Sequence, residues 1–123
     1  MCIRDSSSTD PHFDPESVLK LSVSDGKPII YAALNYRGTI FGFARSSSLK
    51  EQNSLNNGMR DQRLGFQWIK DNIKAFGGDP ERITVYGLSS GGTFISIHPM
   101  AYGGEKGVPF QQAWMMSVSR KTE

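Results

Sequence analysis

Residues 83–97 read Ile83-Thr84-Val85-Tyr86-Gly87-Leu88-Ser89-Ser90-Gly91-Gly92-Thr93-Phe94-Ile95-Ser96-Ile97, a β-branched apolar run, a cluster of small residues and an apolar helix start. The order predicts a buried strand, a very tight turn and a helix. At the centre, Gly87-Leu88-Ser89-Ser90-Gly91 matches G-x-S-x-G. A serine held at the tip of a strand-to-helix turn needs almost no side chain two residues away on either side, because the two backbone arms approach each other there. Ser89 is therefore the candidate nucleophile, with Gly87 and Gly91 as the glycines of the elbow.

Other readings of the glycine spacing fail on single positions. Gly87 and Gly92 have the separation of the glycines of a phosphate-binding P-loop, but Thr93 and Phe94 stand where Lys and Ser/Thr would be required. A dinucleotide fingerprint would need glycine in place of Ser89. A glycine turn that serves conformation alone is the remaining alternative.

Upstream, Gln62, Phe66, Ile69, Ile73 and Phe76 recur at helical spacing, with Leu64 and Trp68 widening the stripe, so residues 57–76 are predicted helical. Gly77-Gly78 ends this helix, since glycine takes the left-handed conformation that closes a helix and Asp79-Pro80 forbids continuation. Pro28–Asn35 is nearly continuous in apolar residues and predicts a strand over Ile29–Asn35, buried on both faces. Residues 110–118 predict a third buried strand. Between Arg37 and Gly58 the Ser-, Asn- and Gly-rich composition predicts an irregular loop anchored by Phe41 and Phe43, with Ser46–Ser48 facing solvent. A short helix is expected near Pro15–Leu21, capped by Asp14. Pro99 is expected to end the helix after Ser89 early. The pattern as a whole predicts an α/β fold with about three parallel strands and connecting helices.

Composition excludes other classes. Fourteen Lys and Arg stand against 12 Asp and Glu in 123 residues, scattered along the chain, which gives no electrostatic footprint for nucleic acid. No apolar run approaches the roughly 20 residues of a membrane span. The single cysteine, Cys2, allows no internal disulfide, and no His/Cys cluster has metal-ligand spacing, so no metal and no cofactor is expected. His12 is read as a solvated loop residue. Residues 1–8 are read as a non-native or disordered head, 9–118 as the domain and 119–123 as a tail.

Several spaced tracts carry a family likeness: Asn35-Tyr36-Arg37 with Phe41-Gly42-Phe43, then 57–69 (Asn57-Gly58-Met59-Arg60-Asp61-Gln62 onward), then Phe76-Gly77-Gly78-Asp79-Pro80 and the elbow itself. Together they resemble the type-B carboxylesterase/lipase family, and the elbow tract with 100–104 and 107–110 is similar to fungal members in particular. The resemblance implies part of an α/β-hydrolase fold, with 9–118 as a partial α/β-hydrolase domain, and hydrolysis of small-molecule or lipid carboxylic esters through a Ser-acid-His triad. It assigns Ser89 as nucleophile, the Ser90 backbone N–H as an oxyanion donor, and Arg37 and Asp61 as a structural ion pair. It also suggests a secreted parent protein. Leu88 and Ser90 depart from relatives that carry Glu and Ala there, and the sequence after Ser117 does not resemble the family.

The triad order places the base after Ser89, where His98 is the sole histidine. Nine residues of helix put it roughly 13 Å away by rise alone, beyond the ~3 Å of proton transfer. His98 is therefore read as a packing or helix-surface residue. No His-Gly-rich oxyanion segment occurs in residues 1–28. The chain alone is expected to be inert, and a non-catalytic α/β binding module that retains an elbow is the alternative function.

Overall fold

The computed structural model describes Cys2–Ile3 and residues 14–118. His12 and residues 119–123 lie outside the described residues, as does most of the head. The elements in order are β1 (Cys2–Ile3), α1 (Glu16–Ser24), α2 (Thr39–Phe43), α3 (Ser47–Glu51), α4 (Asn57–Asn72), β2 (Thr84–Leu88), α5 (Ser90–Ile97) and β3 (Gln112–Met116). A 3₁₀ turn at Ile73–Phe76 extends α4, and His98–Gly104 after α5 is 3₁₀ in type with a kink of non-helical backbone at Ala101, Tyr102 and Gly103. The architecture is α/β, built on two five-residue parallel strands, β2 and β3. Their register pairs Val85 with Ala113 and Leu88 with Met116. The two residues of β1 pair in parallel on the other side of β2, opposite Tyr86 and Gly87.

The core gathers one face of each element. Phe66 and Ile69 of α4 meet Ile83, Val85, Ile95 and Phe110, with Leu34 and Tyr36 packed at the margin. Within α4 the spacing 62, 66, 69 places Gln62, Phe66 and Ile69 on one buried side. Leu64 and Trp68 do not widen the stripe: they are exposed, because they project about 160–200° away from Phe66 on a 100°-per-residue helix. Phe76, also expected in the stripe, is exposed as well.

The end of α4 follows the glycine expectation. Gly77 adopts φ +82°, and the N–H groups of Gly77 and Gly78 donate to the carbonyls of Lys74 and Ile73 at 3.1 and 2.9 Å. This satisfies carbonyls the helix would leave open. At the start of α1, Asp14 Oδ1 accepts from the Glu16 N–H at 3.0 Å. α5 stops at Ile97, and Pro99 lies in the 3₁₀ turn that replaces it. Its ring and missing N–H are incompatible with another α-helical turn.

Three expectations are corrected. Ile29–Asn35 is not a strand: it has one bridge residue, Ala33, and Ile29 and Ile30 are about half exposed. A strand needs a hydrogen-bonded neighbour, and an open cleft of about 460 Å³ separates Pro28–Ala32 from Arg82–Thr84. β3 forms where expected but is not buried, since four of its five residues are exposed. Nor is the 37–58 stretch one irregular loop. It contains α2 and α3; Phe41 is exposed, whereas Phe43 stacks on Phe94 of α5 at 5.2 Å, and the exposed Ser46 caps α3 by accepting from the Leu49 N–H at 3.1 Å.

These positions make a pair of opposed predictions. Phe66→Ala should cost about 3–5 kcal/mol of stability, because it empties a fully enclosed site. Leu64→Ala, two residues away, should change it by less than about 0.5 kcal/mol. Urea titration followed by circular dichroism measures both, and a large loss at Leu64 would contradict the face assigned to α4.

Candidate active site

The turn between β2 and α5 is where the chain departs furthest from ordinary backbone geometry. Ser89 has φ 56° and ψ −122°, a conformation that a non-glycine residue holds only when its surroundings impose it. Those surroundings are visible. The Ser89 N–H donates to the Met116 carbonyl at 2.8 Å, extending the β2–β3 ladder by one bond, while the Ser89 carbonyl accepts from the Thr93 N–H at 3.0 Å and so begins α5. Ser89 belongs to the strand by its nitrogen and to the helix by its oxygen. Its side chain is left exposed at the tip.

Gly87 explains how the two arms come so close. A Cβ there would lie 2.6 Å from the carbonyl carbon of Gly91 and 2.8 Å from its oxygen. Since the opposing atoms are backbone, no rotamer change could relieve the clash. Gly91 is buried at this contact. Gly92, which lies outside the five-residue motif, is equally confined: its Cβ would meet Val118 Cγ2 at 2.8 Å and the carbonyls of Gly87 and Met116 at 3.1 and 3.2 Å. The motif spacing marked Gly87 and Gly91. The need for glycine at 92 depends on β3, whose approach is not encoded locally.

Ser90 is the first residue of α5, at the positive end of its dipole. Leu88 is half-buried and ends β2.

Arg37 and Asp61 meet. Arg37 Nε and Nη2 donate to Asp61 Oδ2 and Oδ1, both at 2.7 Å, and the Arg37 backbone N–H adds a third bond to Oδ2 at 3.1 Å. The guanidinium hydrogen bonds hold the Asp61 carboxyl below its usual range against the opposing effect of partial burial. The pair ties the stretch before α2 to the first turns of α4. Nearby, Gly42 and Gly58 leave room for the Arg37 carbonyl, and Phe43 continues from this junction to Phe94 on α5. A chain of packed groups thus links the ion pair to the helix that carries Ser89.

His98, the one histidine after Ser89 in this sequence, is buried in the core. It is 2% exposed, lies edge-on to Phe66 at 5.2 Å, and its Nε2 is 3.0 Å from Gln62 Oε1. With that oxygen as acceptor, Nε2 carries the proton. Burial, aided by the charge of Arg63, pushes its pKa down to about 4. The helical rise removed His98 as the base and left packing and helix-surface roles open; burial against Gln62 decides for packing. Among the described residues no group of His, Cys, Asp and Glu could hold a metal ion.

A serine at positive φ between a parallel strand and a helix, with glycine required on both arms, has the strand–turn–helix geometry that an elbow of the α/β-hydrolase fold calls for. The chain belongs to the carboxylesterase family, whose model matches residues 3–122. A secreted lipase of Arthroderma benhamiae is 48% identical over 103 residues, covering 84% of this chain and 18% of the lipase. An inactive carboxylesterase-like protein of Byssochlamys spectabilis is 44% identical over 108 residues, covering 88% of this chain and 18% of its own length. Among solved structures, a PNB esterase superposes with a TM-score of 0.76 at 32% identity, covering 100% of this chain and 26% of the esterase. Aspergillus niger EstA superposes with a TM-score of 0.75 at 30% identity, covering 89% and 20%. The chain therefore spans about a fifth of the length of the proteins it resembles.

Two measurements follow from this geometry. Gly87→Ala should destabilise by about 1–3 kcal/mol through overpacking against backbone, whereas Gly38→Ala, which meets nothing within 4 Å, should cost less than about 1 kcal/mol in the same denaturation assay. The second concerns pH. The unfolded chain binds a proton at His98 near pH 6.5, and the folded chain refuses it until about pH 4. Stability is thus fully present above about 6.5 and falls as pH drops towards 4, by about 2–3 kcal/mol after allowance for screening. His98→Gln should flatten that slope; an unchanged slope would mean another group carries it.

Proposed function

We propose that Ser89 is the nucleophile of carboxylic-ester hydrolysis in a protein of the length of this chain's relatives, and that the chain by itself does not turn over esters. The observation that carries the first part is the imposed backbone of Ser89, φ 56° and ψ −122°, at an exposed strand-to-helix tip. Strain of this kind costs on the order of 1–3 kcal/mol and persists where a reactive side chain has to be presented.

In this reading Ser89 Oγ attacks the ester carbonyl carbon, and a base takes its proton. The carbonyl oxygen becomes an oxyanion beside the Ser90 N–H, at the positive end of α5. Collapse expels the alcohol and leaves an acyl group on Ser89, which water then removes as the carboxylic acid. Arg37 and Asp61 act at a distance from the reacting atoms, by fixing α4 under the helix that carries the serine.

The second part rests on His98. Its ring is enclosed against Phe66 and bonded to Gln62, and the loss of a triad base costs on the order of 10⁶ in rate. A non-catalytic role for this elbow is the second reading. What favours it is that a relative 44% identical to this chain is described as an inactive carboxylesterase-like protein.

A fluorophosphonate probe separates the possibilities. The isolated chain should remain unlabelled, and labelling that disappears in Ser89→Ala would refute its inertness. Spliced into an active relative in place of the matching segment, it should support p-nitrophenyl ester turnover that Ser89→Ala lowers by about 10⁵–10⁶. A spliced protein that folds, yet neither labels nor turns over, would favour the non-catalytic reading.

A further inference from the structure

A second concavity lies on the far side of α4's first turns, where the 3₁₀ segment after α5 folds back over the helix. Its volume is about 290 Å³, at the lower end of the ~300–1,000 Å³ typical of ligand sites. Leu55, Met59, Ile97 and Ala101 give it an apolar lining, and Arg60 and Arg63 supply charge. No Asp or Glu is among the residues that line it.

The two arginines differ in state. Arg63 is spent on the protein: Nη1 donates to the His98 carbonyl at 3.3 Å, Nη2 donates to the carbonyls of Lys106 and Gly107, and the guanidinium sits 5.3 Å above the Tyr102 ring. It is a fixed positive wall. Arg60 has neither a hydrogen-bond nor an ion-pair partner for its guanidinium among the described residues, and it is exposed at the rim. His98, the lining histidine, stays neutral near pH 7 and offers no competing charge.

Left-handed backbone occurs at the same place. Tyr102 has φ 58° and Asn56 has φ 56°, and both line the cavity. For a residue as bulky as Tyr this conformation is unfavourable. It is held here by the Arg63 guanidinium on the ring and by Lys106 Nζ, 4.4 Å from the ring centroid. The structure thus maintains the concave wall at some expense in conformational energy.

The geometry points to a binding site for a short-chain monocarboxylate, its tail against Leu55, Met59, Ile97 and Ala101 and its carboxylate paired with the free Arg60 guanidinium. An apolar slot selects for the tail, and an unpartnered planar guanidinium beside a second fixed cation selects for a carboxylate over a neutral head. The site is separate from Ser89 and does not depend on the proposed hydrolysis.

Titrating the 123-residue chain with hexanoate tests it, followed by calorimetry and by the methyl resonances of Met59, Ile97 and Ala101. Hexanoate should bind saturably, and hexanol and acetate, which lack one half of the ligand each, should bind at least about tenfold more weakly. Arg60→Gln, an exposed substitution, should weaken hexanoate about tenfold. Ser89→Ala should leave the affinity unchanged, so the outcome is independent of whether Ser89 is a nucleophile. Hexanol binding as tightly as hexanoate, no saturable response, indifference to Arg60→Gln, or loss in Ser89→Ala would each overturn the proposal.

Discussion

Gly87 and Gly91 are in backbone-to-backbone contact, and everything that makes this chain more than a strand and a helix depends on that contact. A Cβ at Gly87 would come within 2.8 Å of three heavy atoms, two of them on the Gly91 carbonyl. Because the arms can close, the turn between them is short enough to leave Ser89 at positive φ. Because Ser89 is also bonded to Met116 in front and Thr93 behind, it cannot relax. The strain is local, but the forces that hold it come from both neighbours of the elbow, β3 on one side and α5 on the other.

The elbow is supported from below by α4. Phe66 and Ile69 fill the core under Val85 and Ile95, and the end of the same helix is closed by Gly77. Arg37 and Asp61 secure the first turns of α4 to the chain before α2, and the pair's three hydrogen bonds involve main chain as well as side chain. At the opposite end of α5, His98 inserts its ring between Phe66 and Gln62 while Arg63 takes its carbonyl. Gln62 Nε2 remains buried without a hydrogen-bond partner among the described residues, a cost that the His98 bond offsets in part. One helix thus steadies both ends of the segment that presents the serine.

Membership of the carboxylesterase family leaves open which group would serve the proposed nucleophile. A nucleophile elbow presents an oxygen; removal of its proton needs a base within about 3 Å. The histidine available downstream is committed to packing, and its depressed pKa is a consequence of that enclosure rather than a sign of catalytic tuning. The sheet is open as well. β3 is largely exposed, and the apolar stretch 29–35 pairs only through the single bridge at Ala33, which is what two strands' worth of sheet with few neighbours would produce.

Local order was legible wherever one residue decided it. The serine between glycines, the helix closure at Gly77-Gly78, the early stop before Pro99 and the 62–66–69 face of α4 all follow from sterics and periodicity within a few residues. Burial was not legible, because it depends on what lies opposite. The apolar runs 29–35 and 110–118 both read as enclosed strands; one pairs through a single bridge at Ala33 and the other lacks a cover, and neither outcome is written in the run itself. Leu64 and Trp68 show the same limit within a helix, where apolar character suggested core and the direction of projection decided otherwise. The meeting of Arg37 with Asp61 was suggested by likeness to a family, and the seat of His98 against Gln62 arose only where the segment after α5 meets α4. A sequence specifies which backbone conformations are cheap, whereas the partner of each buried or charged group is fixed by distances that exist only once the chain has folded.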